Sequence, residues 1–234
     1  MPTVSNPHID PEEVEHARLQ LDPLTFAQEY LASFVTENNN AFCYTYSTAK
    51  HARPTTINKG LELKLSFDFN RDPITCLVAQ DAGNTINFIE QIKLQNSNIY
   101  DLCDYIKLKY GSYLLVVTGD ATGRNSSALV KDNLNYFKII RAQLGLSDRQ
   151  MRQPVSNPSL IENRVLVNSA FHHLDISIDP FECKALIFDL EHAAVLPDGS
   201  LDKTDRNDPT KQLDALDCAR YYLNTFFKHI LKIV

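Results

Sequence analysis

The stretch Leu61-Glu62-Leu63-Lys64-Leu65-Ser66-Phe67-Asp68-Phe69-Asn70 constrains the fold of this chain more than any other. Apolar side chains at 61, 63, 65 and 67 alternate with polar or small ones, which predicts a β-strand with one face buried. Asp68 stands at its end between two phenylalanines. An ionised carboxylate in apolar surroundings is costly unless it is paired or bound to a metal. Taken alone, Asp68 reads first as a strand-end acid turning outward into Asn70-Arg71-Asp72-Pro73. The rest of the chain decides whether that reading stands.

Strand and helix periods follow in a definite order. Ile74–Ala79 predicts a second strand, Asp81-Ala82-Gly83-Asn84 a turn and Thr85–Lys93 a third strand, an antiparallel meander. Ser97 to Lys109 has helical spacing at Ile99, Leu102, Cys103 and Ile106, with Ser97 or Asn98 as cap. Ser112–Thr118 is a continuous apolar run, as expected of a central strand covered on both faces, and it ends in Gly119-Asp120-Ala121-Thr122-Gly123. A helix is predicted over Ala128–Leu144, closed by Gly145, and another after Asn157-Pro158-Ser159. Asp175–Ile178 predicts a short strand and Cys183–Ala193 a helix. Pro209 leads into a last helix whose apolar stripe is Leu213, Leu216, Leu223, Phe227, Ile230 and Val234. Upstream, Asp10-Pro11-Glu12-Glu13 and Asp22-Pro23-Leu24-Thr25 start two short helices, the second running through Phe34. Thr36–Asn40 reads as a loop, and 41–58 shows no clear period. Residues 1–55 therefore read as an N-terminal arm or linker and 56–234 as the folded domain.

Composition narrows the classes. With 234 residues, 44% hydrophobic and 22% charged, the chain suits one large soluble domain with an arm. No apolar run approaches the ~18 residues of a membrane helix, and Met1-Pro2-Thr3-Val4-Ser5-Asn6 lacks a signal-peptide pattern, so no membrane partner is expected. The five cysteines are scattered and never form Cys-x-x-Cys, which argues against a disulfide framework or zinc site and suits a reducing cytoplasm. A net charge of −6 speaks against a freestanding, non-specific nucleic-acid binder. It is compatible with an enzyme whose acidic site is offset by divalent cations.

Three strands, a helix, a strand, helices and a C-terminal helix is the element order of the ribonuclease-H-like fold, an α/β arrangement with a mixed β-sheet flanked by helices. Carboxylates fall where that architecture would use them. Asp68 ends the first strand, Asp120 ends the buried strand, and Asp214 and Asp217 share one face near the start of the last helix. Two divalent cations about 3.5–4 Å apart can hold an attacking water and a leaving oxygen across a phosphodiester. Hard oxygen donors suit Mg²⁺ or Mn²⁺. Each piece also has a plain structural explanation. Gly119–Gly123 could be only a turn, and it is no phosphate loop because no Gly-Lys-Ser/Thr follows. Asp214 and Asp217 could be helix-start residues favoured by the dipole. His172-His173 reads as a polar helix end. Arg124, Lys203, Arg206 and Lys211 are basic candidates for DNA phosphates, although solvated loops account for them as well.

Ser66–Pro73, Val117–Gly123 and Leu216-Asp217-Cys218-Ala219-Arg220-Tyr221 resemble the three acidic motifs of the C-terminal nuclease domain of tailed-phage terminase large subunits. Leu24-Thr25-Phe26-Ala27-Gln28-Glu29-Tyr30-Leu31 resembles the segment that joins the packaging ATPase to that nuclease, and Asn157-Pro158 with Arg164 and Asn168 fits its middle region. The resemblance covers most of 22–234. It implies a metal-dependent endonuclease that cleaves concatemeric double-stranded phage DNA during genome packaging, in the cytoplasm of a bacterial host. It also implies Asp68, Asp120 and Asp217 as catalytic ligands of two Mg²⁺ or Mn²⁺ ions. Many members have a histidine three residues before the last acid, where this chain has Asp214, an aspartate that could still hold the second metal together with Asp217. The Walker motifs of the ATPase half are absent from this sequence. The implied partners are the portal or procapsid, the small terminase subunit and the ATPase domain. Two rival readings stand beside this one: a ribonuclease-H-like nuclease of resolvase or transposase type, and a non-catalytic docking module of the packaging machine.

Overall fold

Residues 6, 8–32, 40–70, 72–125, 134–205 and 207–231 are described by a computed structural model. Leu63–Asp68 forms β1, and all six of its residues are buried. Its alternation divides two interiors instead of separating core from solvent. Leu63, Leu65 and Phe67 enter one apolar cluster, with Leu102, Ile106, Phe137 and Ile140 of two helices, α4 (Ile99–Tyr110) and α5 (Tyr136–Leu144). The polar alternates face the helix α8 (Asp214–Phe226). There Ser66 Oγ donates to the Cys218 carbonyl at 2.7 Å, and Lys64 pairs with Asp81 at 2.7 Å while lying 4.4 Å from the centre of the Phe226 ring. The expectation of a half-exposed strand is corrected accordingly: its polar side is buried because each polar group there has a partner.

β2 (Ile74–Ala82) and β3 (Thr85–Leu94) complete the predicted meander, each antiparallel to its predecessor. β4 (Leu115–Gly119) runs parallel to β1, and β5 (Asp175–Ile178) runs parallel to β3, giving the order β4-β1-β2-β3-β5. α4 and α5 cover one face. α6 (Leu160–His173), α7 (Lys184–His192) and α8 cover the other. Asn98, Asn135 and Ser159 cap α4, α5 and α6 through side-chain oxygens, and Gly145 closes α5 in the left-handed conformation.

Two further expectations change. β4 is buried on both faces but lies at the sheet edge rather than its centre, and it begins at Leu115, because Leu114 is 60% exposed. Its outer backbone is satisfied by the segment after α5: the Arg152 N–H donates to the Val117 carbonyl at 2.7 Å, and Gln150 Nε2 to that of Leu115 at 2.9 Å. The last helix does not run unbroken from Pro209. A short 3₁₀ turn (Pro209–Lys211) precedes Leu213, which is left-handed at φ 55°, and α8 gives way after Phe226 to a second 3₁₀ turn. Val234, Phe34 and the start of the predicted 128–144 helix lie outside the described residues.

Near the N-terminus, α1 (Pro11–Gln20) and α2 (Pro23–Tyr30) are capped by Asp10 and Asp22, and the single turn α3 (Thr48–His51) follows. Asp22 also accepts from Thr25 Oγ1 at 2.7 Å and from the Tyr44 hydroxyl at 2.9 Å. Phe42 and Cys43 join the cluster beneath α6 and α7, and the Phe42 and Arg53 N–H groups donate to the carbonyls of Ala193 and Ile178. Among the described residues no helix is long and apolar enough to cross a membrane.

Parallel pairing of β1 and β4 depends on a close approach at Gly119. A Cβ there would sit 2.5 Å from the Phe67 carbonyl oxygen. Gly119→Ala is therefore expected to lower unfolding stability by about 1–3 kcal/mol, measured by denaturant melting. A wild-type midpoint would show that the strands separate freely here.

Candidate active site

Because β1 and β4 are parallel neighbours, they deliver their C-terminal residues to the same end of the sheet. The Asp120 N–H donates to the Phe67 carbonyl at 2.9 Å, which sets Asp120 beside Asp68. α8 crosses β1 on the opposite side from α4 and brings Asp214 and Asp217 in its first turn. Asp68, Asp214 and Asp217 are 3%, 1% and 4% exposed, so three of the four acids sit out of bulk water. The Asn70 amide ties two of them together, its Nδ2 donating to Asp68 Oδ2 and, at 2.8 Å, to Asp214 Oδ1.

Electrostatics mark the cluster. Burial, then the charges of Asp217, Asp214 and Asp120, push the Asp68 carboxyl from 3.8 up to about 8, against the lowering effect of Lys203. An acid so destabilised in its ionised form is a place where added positive charge is favourable.

The residues singled out in the sequence fall into distinct environments. Asp120 Oδ1 accepts from the Thr122 N–H at 2.8 Å and from Asn157 Nδ2 at 2.7 Å. Asp217 is gripped by Lys203 at one oxygen and by Arg220 at the other. Lys203 thus turns into the carboxylate cluster. Lys211 is held by Asp202 at 3.0 Å, and Arg124 is exposed just beyond Asp120, its guanidinium reaching the Pro154 carbonyl at 3.3 Å. Arg206 lies outside the described residues.

Several partners had no role in the sequence reading. Arg220 stands three residues after Asp217 on the same helix, a spacing that could have disclosed it. Lys93, at 3.5 Å from Asp214 Oδ2, and Asp189 come from β3 and α7 and carried no local signal. Asp189 is itself pushed up to about 7, mainly by burial, against the lowering effects of the Leu216 N–H and Lys93.

The donor chemistry fits a hard divalent cation, being carboxylate oxygens arrayed around an acid whose ionisation its neighbours oppose. In their present arrangement, no three His, Cys, Asp or Glu side chains among the described residues are gathered to hold a metal ion. The ammonium and guanidinium of Lys203 and Arg220 occupy the Asp217 oxygens instead.

A mixed five-stranded sheet in the order β4-β1-β2-β3-β5 with helices on both faces is a ribonuclease-H-like fold. More particularly, the fold is that of the large-terminase nuclease domain. The large terminase of a thermophilic bacteriophage, solved with ATP-gamma-S, superposes with a TM-score of 0.64 at 13% identity, over 94% of this chain and 54% of its own. The nuclease domain of the P22 large terminase superposes at 0.56 with 11% identity, over 82% of this chain and 97% of its own. The chain thus spans about half the length of the thermophilic phage's protein. No protein-family model matches it, and neither does any curated protein.

The electrostatics carry a measurable consequence. With its carboxyl raised from 3.8 to about 8, metal-free folded protein binds more protons at Asp68 than the unfolded chain across that window. Its contribution to stability is full at the acidic end and lost as pH rises through about 8. The melting temperature of Asp68→Asn should therefore fall less than that of wild type over this range, and Mn²⁺ should raise wild-type melting most at the upper end. Parallel pH profiles for the two proteins would show that Asp68 feels no such repulsion.

Proposed function

We propose that this chain is the nuclease part of a large terminase, a metal-dependent endonuclease that cuts concatemeric double-stranded DNA during phage genome packaging. The observation that carries the reading is the placement of the acids: Asp68 and Asp120 end adjacent parallel strands, and the Asn70 amide joins Asp68 to Asp214 of α8, on a fold shared with a terminase nuclease domain. Bound Mg²⁺ or Mn²⁺ would supply Lewis-acid activation of water and charge neutralisation at the scissile phosphate.

The chain's own residues do the rest. Asp68, fixed at the end of a fully buried strand, would help hold both cations. Asp120, aimed by its hydrogen bonds from Thr122 and Asn157, would hold one. Asp217, with Asp214 beside it on α8, would hold the other. Asn70 keeps Asp68 and Asp214 at a set separation, and Lys93 balances charge at Asp214. Lys203 neutralises Asp217 in the metal-free state and would have to yield that oxygen as a cation arrives. Arg124, exposed next to Asp120, is the described basic residue best placed for a DNA phosphate flanking the cut. Lys211, held by Asp202 in the 3₁₀ turn before α8, and Arg206, five residues earlier in the sequence, are further basic candidates for DNA phosphates. In this reading the partners are double-stranded DNA, the portal or procapsid, the small terminase subunit and an ATPase domain, all met in the host cytoplasm.

Purified chain should nick supercoiled plasmid in Mn²⁺ or Mg²⁺ and not in EDTA, and Asp68→Asn should reduce nicking by at least about 10²-fold, on the scale of losing an electrostatic group essential to the transition state. Undiminished cutting by Asp68→Asn would sink the assignment. A preference for branched DNA over linear duplex would favour a resolvase-type enzyme instead.

A further inference from the structure

The helix that carries Asp214 and Asp217 starts without a cap of its own. Leu213, at the N-cap position, has no side-chain oxygen to offer and enters α8 at φ 55°, ψ 22°. L residues rarely adopt that conformation, and the first N–H groups of a helix have no partner within it. The missing acceptor comes from a different helix. Asp189 of α7, only 5% exposed, accepts from the Ala215 N–H at 3.0 Å and the Leu216 N–H at 3.1 Å, both on Oδ2. The two donors are the residues lying between Asp214 and Asp217. α7 is anchored in turn by Leu186 and Leu190, which are buried in the cluster beneath α6, α7 and α8.

We propose that Asp189 is a positioning residue: by capping α8 between the two acids, it fixes where the helix begins and so where Asp214 and Asp217 point relative to Asp68. This rests on the reading of that cluster as a divalent-metal site. If the first turn frayed by a single residue, Asp214 would leave the helix and Asp217 would lie nearer its start. A carboxylate held on a neighbouring helix prevents that, and it favours the positive end of the α8 dipole. The operative property is an oxygen acceptor at this place, which asparagine also supplies.

The test uses Mn²⁺ alone as probe, its affinity measured by electron paramagnetic resonance on the full chain. Proteins compared are wild type, Asp189→Asn, Asp189→Ala and Leu102→Ala, the last a destabilised control on the opposite face of the sheet. Asp189→Ala should lose about tenfold or more in Mn²⁺ affinity, the scale on which groups orienting metal ligands act. Leu102→Ala should keep wild-type affinity at a comparable loss of melting temperature. Asp189→Asn should stay within about threefold of wild type, since asparagine caps helices about as well as aspartate. Wild-type affinity in Asp189→Ala overturns the inference, as does a tenfold loss in Asp189→Asn, an outcome that stands even where Asp189→Ala does not fold. Failure of the wild-type chain to bind Mn²⁺ overturns the metal-site reading and this inference with it, whereas binding that is indifferent to Asp189 overturns the inference alone.

Discussion

Holding four carboxylates together against their own repulsion is the constraint on which the rest of this structure depends. Two like charges 4 Å apart in partly buried surroundings repel by about 4 kcal/mol, several times the ~1 kcal/mol of a good helix cap. Asp68 is therefore set at the end of a strand buried on both faces, and Asp120 at the end of its parallel neighbour. Asp214 and Asp217 are set on a helix packed across that strand. The two apolar clusters on either side of the sheet provide the stability that the acidic end loses.

Nitrogen donors moderate the repulsion without abolishing it. Asn70 reaches two of the acids and Lys93, Lys203 and Arg220 one each, yet Asp68 stays well above an ordinary carboxylate. The site resembles one awaiting further positive charge. Strain accompanies it: Leu213 is held left-handed at the entrance to α8, a conformation costing of order 1–3 kcal/mol that persists only where the surroundings impose it. The burial of Leu213 and the Asp189 carboxylate supply those surroundings.

Much of this was readable from residues alone, for reasons that differ by element. β5 and the starts of β2 and β3 follow from local alternation and turn residues, which do not depend on distant partners. The α4 cap at Asn98 and the left-handed Gly145 are likewise local. The edge position of β4 was not readable, because a continuous apolar run reports cover on both faces and says nothing about lateral neighbours. The burial of Lys64 and Ser66 was hidden for a related reason: polar residues signal exposure unless their partners, here Asp81 and the Cys218 carbonyl, are known.

By itself, then, the sequence determined the element order, the acids at 68, 120, 214 and 217, and the likeness to terminase motifs, all of which are properties of short segments. Tertiary structure alone decided that ionised Asp68 is destabilised by burial and by the other three, that Asn70 and Asn157 hold the acids in place, that Lys203 faces inward, and that Asp189 caps α8. The physical reason is range. Propensity and periodicity act over a few residues, whereas Coulomb repulsion and side-chain hydrogen bonds join groups far apart in the chain, 149 positions in the case of Asp68 and Asp217.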